Sequence, residues 1–80
     1  LNLLPGTAIP AYRTRASIEW FVLGGEVRIG ETRAQGGSFV VIEPGTEADI
    51  ASEFGVRLIA WADGPVDWLD GISRPDPYGF

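Results

Sequence analysis

The chain has 80 residues, 45% of them hydrophobic, with 11 Gly, 6 Pro and a net charge of −5, and it contains no His, Cys, Met or Lys. Those absences exclude serine and cysteine triads, zinc fingers, histidine-held iron, disulfide frameworks and lysine Schiff bases. Any catalysis would fall to carboxylates, tyrosines or hydroxyls, so composition leans toward a non-enzyme and offers no catalytic residue.

A chain of this length forms one domain whose core is only marginally sufficient, and burial against a partner or membership of a larger chain is the route to stability that remains open. The first 34 residues hold Arg13, Arg15, Arg28 and Arg33 against three glutamates, while the other 46 hold Arg57 and Arg74 against eight acids. That balance speaks against nucleic acid, whose phosphates need clustered cations. No apolar run approaches the roughly 20 residues that span a bilayer, so no membrane partner is expected. Leu1 opens no signal peptide, which makes the cytoplasm the expected location, and the lack of an initiating Met suggests a start inside a longer product.

In chain order, short apolar runs are each closed by Gly or Pro, and none keeps a helical period for a dozen residues; this is an all-β pattern. Ser17–Leu23 is β-branched and aromatic, and the Gly24-Gly25 pair after it suits a two-residue hairpin turn, with Glu26–Ile29 as the return strand. Beyond Gln35-Gly36-Gly37 come strands at Ser38–Glu43 and Glu47–Ser52, separated by the Pro44-Gly45 turn, then Val56–Ala62 and a short Val66–Leu69. The strand from Ile18 to Leu23 is apolar on both faces apart from Glu19, as is Val56–Ala62, so each needs cover on two sides. Residues 72–80 carry Pro75, Pro77 and Gly79 and read as an extended tail, whose Tyr78 and Phe80 could tuck against the body or a neighbour. The expected architecture is a small antiparallel β-barrel or jelly roll of six to eight strands over residues 1–71, followed by the tail at 72–80.

Two stretches carry a family resemblance. Gly6 is followed by five residues, then Tyr12-Arg13-Thr14, then Ile18-Glu19, then a run ending at Gly25. Gly37 is followed by Ser-Phe-Val-Val-Ile, then Glu43-Pro44-Gly45, then Ala48 and Ser52. These intervals resemble the G-x5-H-x-H-x3/4-E-x6-G and G-x5-P-x-G-x2-H-x3-N motifs of the cupin superfamily, with the proline displaced by one. The segment Ala62–Asp70 is similar to the tails of small acetylacetone and dihydroxyacetophenone dioxygenase-type cupins and of cupin domains in anti-sigma factors. The resemblance implies further strands before the first motif, and a dimer or a packed second cupin domain as partner.

What departs from the family is the chemistry. The resemblance places metal ligands at Tyr12, Thr14, Ile18 (or Glu19, at the longer spacing) and Ala48, a set poorly suited to iron or zinc. Neither metal nor other cofactor is therefore expected. Strand alternation puts Tyr12 and Thr14 on one face and sends Ile18 and Glu19 to opposite faces; if Ile18 faces inward with Trp20 and Val22, Glu19 faces out. Tyr12, Thr14, Ile18, Trp20, Ala48 and Ile50 would then line the barrel lumen. They form either a pocket with an aromatic wall and two hydroxyls for a small apolar or aromatic ligand, or simply the core. Glu43, Glu47, Asp49 and Glu53 read as a solvated edge rather than a calcium loop. The function expected is a metal-free, degenerate cupin with a structural or oligomerising role, the alternative being a dioxygenase-like enzyme or a sensor domain.

Overall fold

A computed structural model describes residues 1–80. It contains eight strands and no helix, so nothing helical could cross a membrane. They are β1 (Asn2–Leu3), β2 (Thr7–Thr14), β3 (Ile18–Ile29), β4 (Thr32–Gln35), β5 (Phe39–Ile42), β6 (Glu47–Ser52), β7 (Val56–Ala62) and β8 (Val66–Trp68). Every pairing is antiparallel. The all-β architecture is the one the turn spacing predicts.

The 12-residue strand β3 is the spine. Its first half lies between β5 and β7, and its second half between β4 and β6. It therefore belongs to two sheets, one ordered β1-β7-β3-β5 and the other β4-β3-β6-β2-β8, which curl over a shared core. The bend falls at Gly24-Gly25, where the register with β7 slips between Val22 and Gly24.

The hairpin turn expected at Gly24-Gly25 is therefore not there. The strand continues, bent, through both glycines and turns instead at Gly30-Glu31, with Ile29 facing Thr32 and Gly30 at φ +56°. A glycine pair signals a backbone freedom that a bend uses as readily as a turn. Gly25 adopts φ +84°, and a Cβ there would lie 2.2 Å from the Gly55 carbonyl oxygen. The missing side chain is what lets β7 pass against the spine at its corner. Glu26–Ile29 is consequently the second half of β3, and Thr32–Gln35 is the returning strand.

In β2, Pro10 sits within the register shift between Ile9 and Tyr12, the bulge position at which a strand tolerates a missing N–H. The Pro44-Gly45 turn forms as expected, with Gly45 at φ +82°.

Thirteen apolar side chains make one core between the sheets, led by Trp20, Tyr12, Ile18, Ile50, Val22 and Val27. Alternation along β3 buries Ile18, Trp20 and Val22 and exposes Glu19, Phe21 and Leu23. The two buried polar side chains are satisfied: Ser52 Oγ donates to the Glu26 carbonyl at 2.6 Å, and Thr14 is bonded as described below. Residues 69–80 lie outside the strands.

Candidate functional site

The lumen-facing residues come from three strands. β2 supplies Tyr12 and Thr14, β3 supplies Ile18 and Trp20, and β6 supplies Ala48 and Ile50. Five of them are buried, with Trp20 fully enclosed and Tyr12 only 1% exposed, and Ala48 is half-buried. Tyr12 stands directly opposite Ala48 across the β2–β6 ladder, and Ile50 opposite both Ile9 and Ile29.

Thr14 uses its hydroxyl locally. Its Oγ1 donates to the Glu43 carbonyl at 2.8 Å and accepts from the Thr46 amide at 3.0 Å, while its backbone bonds Gly45 and Thr46. The residue pins the Pro44-Gly45 turn to β2.

Tyr12 and Trp20 are joined by a residue that the sequence places far away. The Tyr78 hydroxyl lies 2.6 Å from the Tyr12 hydroxyl and accepts from Trp20 Nε1 at 3.2 Å. The Tyr12 ring stands edge-on to both Trp68 and Tyr78, with centroids 5.9 and 6.2 Å away, a favourable arrangement for aromatic quadrupoles. Burial is the main cause that raises the pKa of both tyrosines above the ordinary value of 10.0. The hydroxyl pair is thus held neutral. Tyr78 and Trp68 are the site residues that sequence reasoning left out, although it had flagged Tyr78 as able to tuck inward. Phe80, flagged with it, stays exposed.

On the far side of Tyr12 the small Ala48 side chain borders a groove of about 400 Å³, walled by Ile29, Val40 and Ile42 and rimmed by Thr46, Glu43 and Glu47. The groove opens between β5 and the β3–β4 hairpin.

The residues that the sequence resemblance set at metal-ligand positions do not fit an ion. The Tyr12 and Thr14 oxygens have protein partners, Ile18 and Ala48 carry no donor, and Glu19 lies on the outer face. Nowhere do three acidic side chains converge. The acids near the turn are paired or solvated: Glu47 bonds Arg13, and Asp49 takes a bidentate contact from Arg28. Asp67 pairs with Arg15, and Asp70 with Arg74, whose guanidinium holds the Asp70 carboxyl down at about 2.

A likeness to a solved structure decides the fold. Over 88% of its length, the chain matches 49% of a protein of unknown function with a cupin-like fold from Ralstonia eutropha JMP134, at a TM-score of 0.76 and 15% identity. The fold is cupin-like. The chain spans about half the length of that cupin-like protein. No family model matches the sequence, and no curated protein matches it significantly. The cupin-like sheets supply the framework that Gly25 and the Pro44-Gly45 turn had suggested.

The other conspicuous surface is the outer face of β5-β3-β7. Phe39, Phe21 and Ile59 form one cross-strand row, and Val41, Glu19 and Trp61 form the next. Leu23 extends the patch, and its six apolar side chains are 38% to 57% exposed.

Proposed function

We propose that this chain is a non-catalytic, cupin-like assembly module that pairs with a second copy of itself through the outer face of β5-β3-β7. The observation that carries the reading is the pair of registered rows, Phe39/Phe21/Ile59 and Val41/Glu19/Trp61, which leaves large apolar side chains side by side in water. Such side chains offer roughly 150–250 Å² each, and their exposed fractions give an apolar patch on the order of 600 Å². That is the top of the range a monomer ordinarily leaves bare. With a polar rim it reaches the ~800 Å² per partner of a standard interface.

Charge complementarity favours a second copy as the occupant. Five of the six arginines pair with a carboxylate of the same chain, and the sixth, Arg57, does not. Arg57 alternates onto the outer face of β7 with Ile59 and Trp61. Glu19, likewise without a cation partner, lies beside Trp61 at the other end of the patch. Four residues of β7 separate Arg57 from Trp61, the neighbour of Glu19, about 13 Å. The Phe21–Ile59 pair lies midway. A two-fold axis over that pair places Glu19 of each copy against Arg57 of the other, the reciprocal contact that an isologous interface requires.

Sedimentation equilibrium at micromolar concentration tests this. The native chain is expected to sediment as a dimer, and Trp61→Glu, which adds a charge to an already exposed position, as a folded monomer. A monomeric native chain would overturn the reading.

A further inference from the structure

The tail bridges two fully buried polar groups that have no other partner. Tyr12 Oη and Trp20 Nε1 both end on the Tyr78 hydroxyl, so a buried donor and a buried hydroxyl converge on one point in an aromatic chamber. Both are completed by a single ring, 66 positions from Tyr12 and 58 from Trp20.

What holds that ring in place is slight. No backbone-to-backbone hydrogen bond joins residues 72–80 to the barrel. The tail is attached by side chains: Asp76 accepts from the Val66 amide at 2.8 Å, Trp68 Nε1 donates to the Arg74 carbonyl at 3.3 Å, and the Arg74 guanidinium lies 5.0 Å over the Trp68 ring. Asp76 also accepts from the Tyr78 amide, which fixes the turn that aims the ring inward. A segment with so few main-chain ties opens at far lower cost than the strands beneath it.

We infer that Tyr12 and Trp20 form a phenol-recognition site, occupied in cis by Tyr78, and that release of the tail admits a small para-substituted phenol in its place. The recognition chemistry is on display in the native contact. A phenolic oxygen accepts from the indole N–H and shares a proton with the Tyr12 hydroxyl, while the ring takes the edge-to-face position against Tyr12. A ligand lacking the hydroxyl leaves both buried groups unpaired, which is how such sites reject close analogues. The inference is independent of the outer sheet face and stands or falls separately from assembly.

The test uses 4-methylphenol, the tyrosine side chain as a free molecule, on the full chain carrying Tyr78→Ala, with toluene as the analogue without oxygen. The probe is the Trp20 indole N–H resonance, with the Trp61 indole on the outer face as the internal control. In the variant, 4-methylphenol is expected to shift the Trp20 resonance back toward its native position and leave Trp61 unmoved. It is expected to bind roughly ten- to a hundredfold more tightly than toluene. In the native chain the same concentrations are expected to have a much weaker effect, because Tyr78 competes. Equal binding of toluene would overturn the inference, since the space would then be a plain apolar cavity, and so would absence of any shift. Should Tyr78→Ala unfold, 4-methylphenol is expected to restore its folded circular dichroism, and failure to do so counts equally against the inference.

Discussion

Replacing Tyr78 by Phe removes a single oxygen and isolates the energetic role of the hydroxyl cluster. The ring remains, so its packing against Tyr12 is kept, but Tyr12 Oη and Trp20 Nε1 lose their partner together. Each sits on a side chain at most 1% exposed. A buried polar group stripped of its hydrogen bond costs about 1–3 kcal/mol. Two such groups, with some water entry past a half-buried tail, put the loss at about 2–4 kcal/mol. In a domain this small each kcal/mol moves the midpoint by about 4–8 °C, so the melting temperature should fall by roughly 10 °C or more. Urea unfolding followed by tryptophan fluorescence reads the effect, with the midpoint shifting and the slope unchanged. The asymmetry between orphaning a group and removing it supplies a sharper check. Adding Tyr12→Phe to Tyr78→Phe deletes one of the two orphans, so the double variant should be no less stable than Tyr78→Phe alone. A loss below about 0.5 kcal/mol for Tyr78→Phe, or simple additivity in the double variant, would refute the reasoning.

Other substitutions probe the framework. Gly25→Ala places a Cβ 2.2 Å from the Gly55 carbonyl oxygen at a residue with φ +84°, and a loss above about 4 kcal/mol, or failure to fold, is expected in circular dichroism. Gly24→Ala, with open space at its Cβ, should cost far less. Thr14→Val keeps the buried shape but removes both hydrogen bonds of the hydroxyl, leaving the Thr46 amide only the longer contact to the Glu43 carbonyl at 3.3 Å, and should lower stability by about 1–3 kcal/mol in the same urea assay. Tyr12 and Tyr78 titrate above their ordinary value of 10.0 when folded. Their contribution is therefore complete below that pH and is lost as pH rises above it, because the unfolded chain releases protons that the folded chain retains. Native tyrosinate absorbance should accordingly lag until the alkaline unfolding itself.

Much of the architecture was legible in local pattern. Glu47–Ser52 and Val56–Ala62 are strands with those bounds, and the opposed facing of Ile18 and Glu19 followed from alternation alone. The Gly24-Gly25 bend was not legible, because the feature that distinguishes it from a turn is the approach of Gly55, in the loop before β7 and about 30 positions later. β2 was legible only where Tyr12 and Thr14 share a face; its bulge at Pro10 is set by pairing with β6. In the lumen, Tyr12 and Trp20 could be placed on inward faces. Their meeting point could not, since Tyr78 reaches them through a tail with no periodicity and no ladder. The doubly apolar strands, in contrast, announced the outer face directly: Phe21, Ile59 and Trp61 are what alternation leaves outside once Trp20, Leu58 and Ala60 turn in.

The claim that two copies meet across that face is tested most directly by exchanging its charges. Glu19→Arg and Arg57→Glu are both exposed substitutions on β3 and β7 and should leave the fold intact. Each alone sets like charges against one another at both ends of the patch, and sedimentation should show a weakened dimer. The double exchange restores opposite charges in reversed order, and the account expects dimer affinity to return toward the native value. If both single variants sediment as the native chain does, or if the double exchange dissociates as far as the sum of the two, Glu19 and Arg57 do not face each other across a two-fold interface.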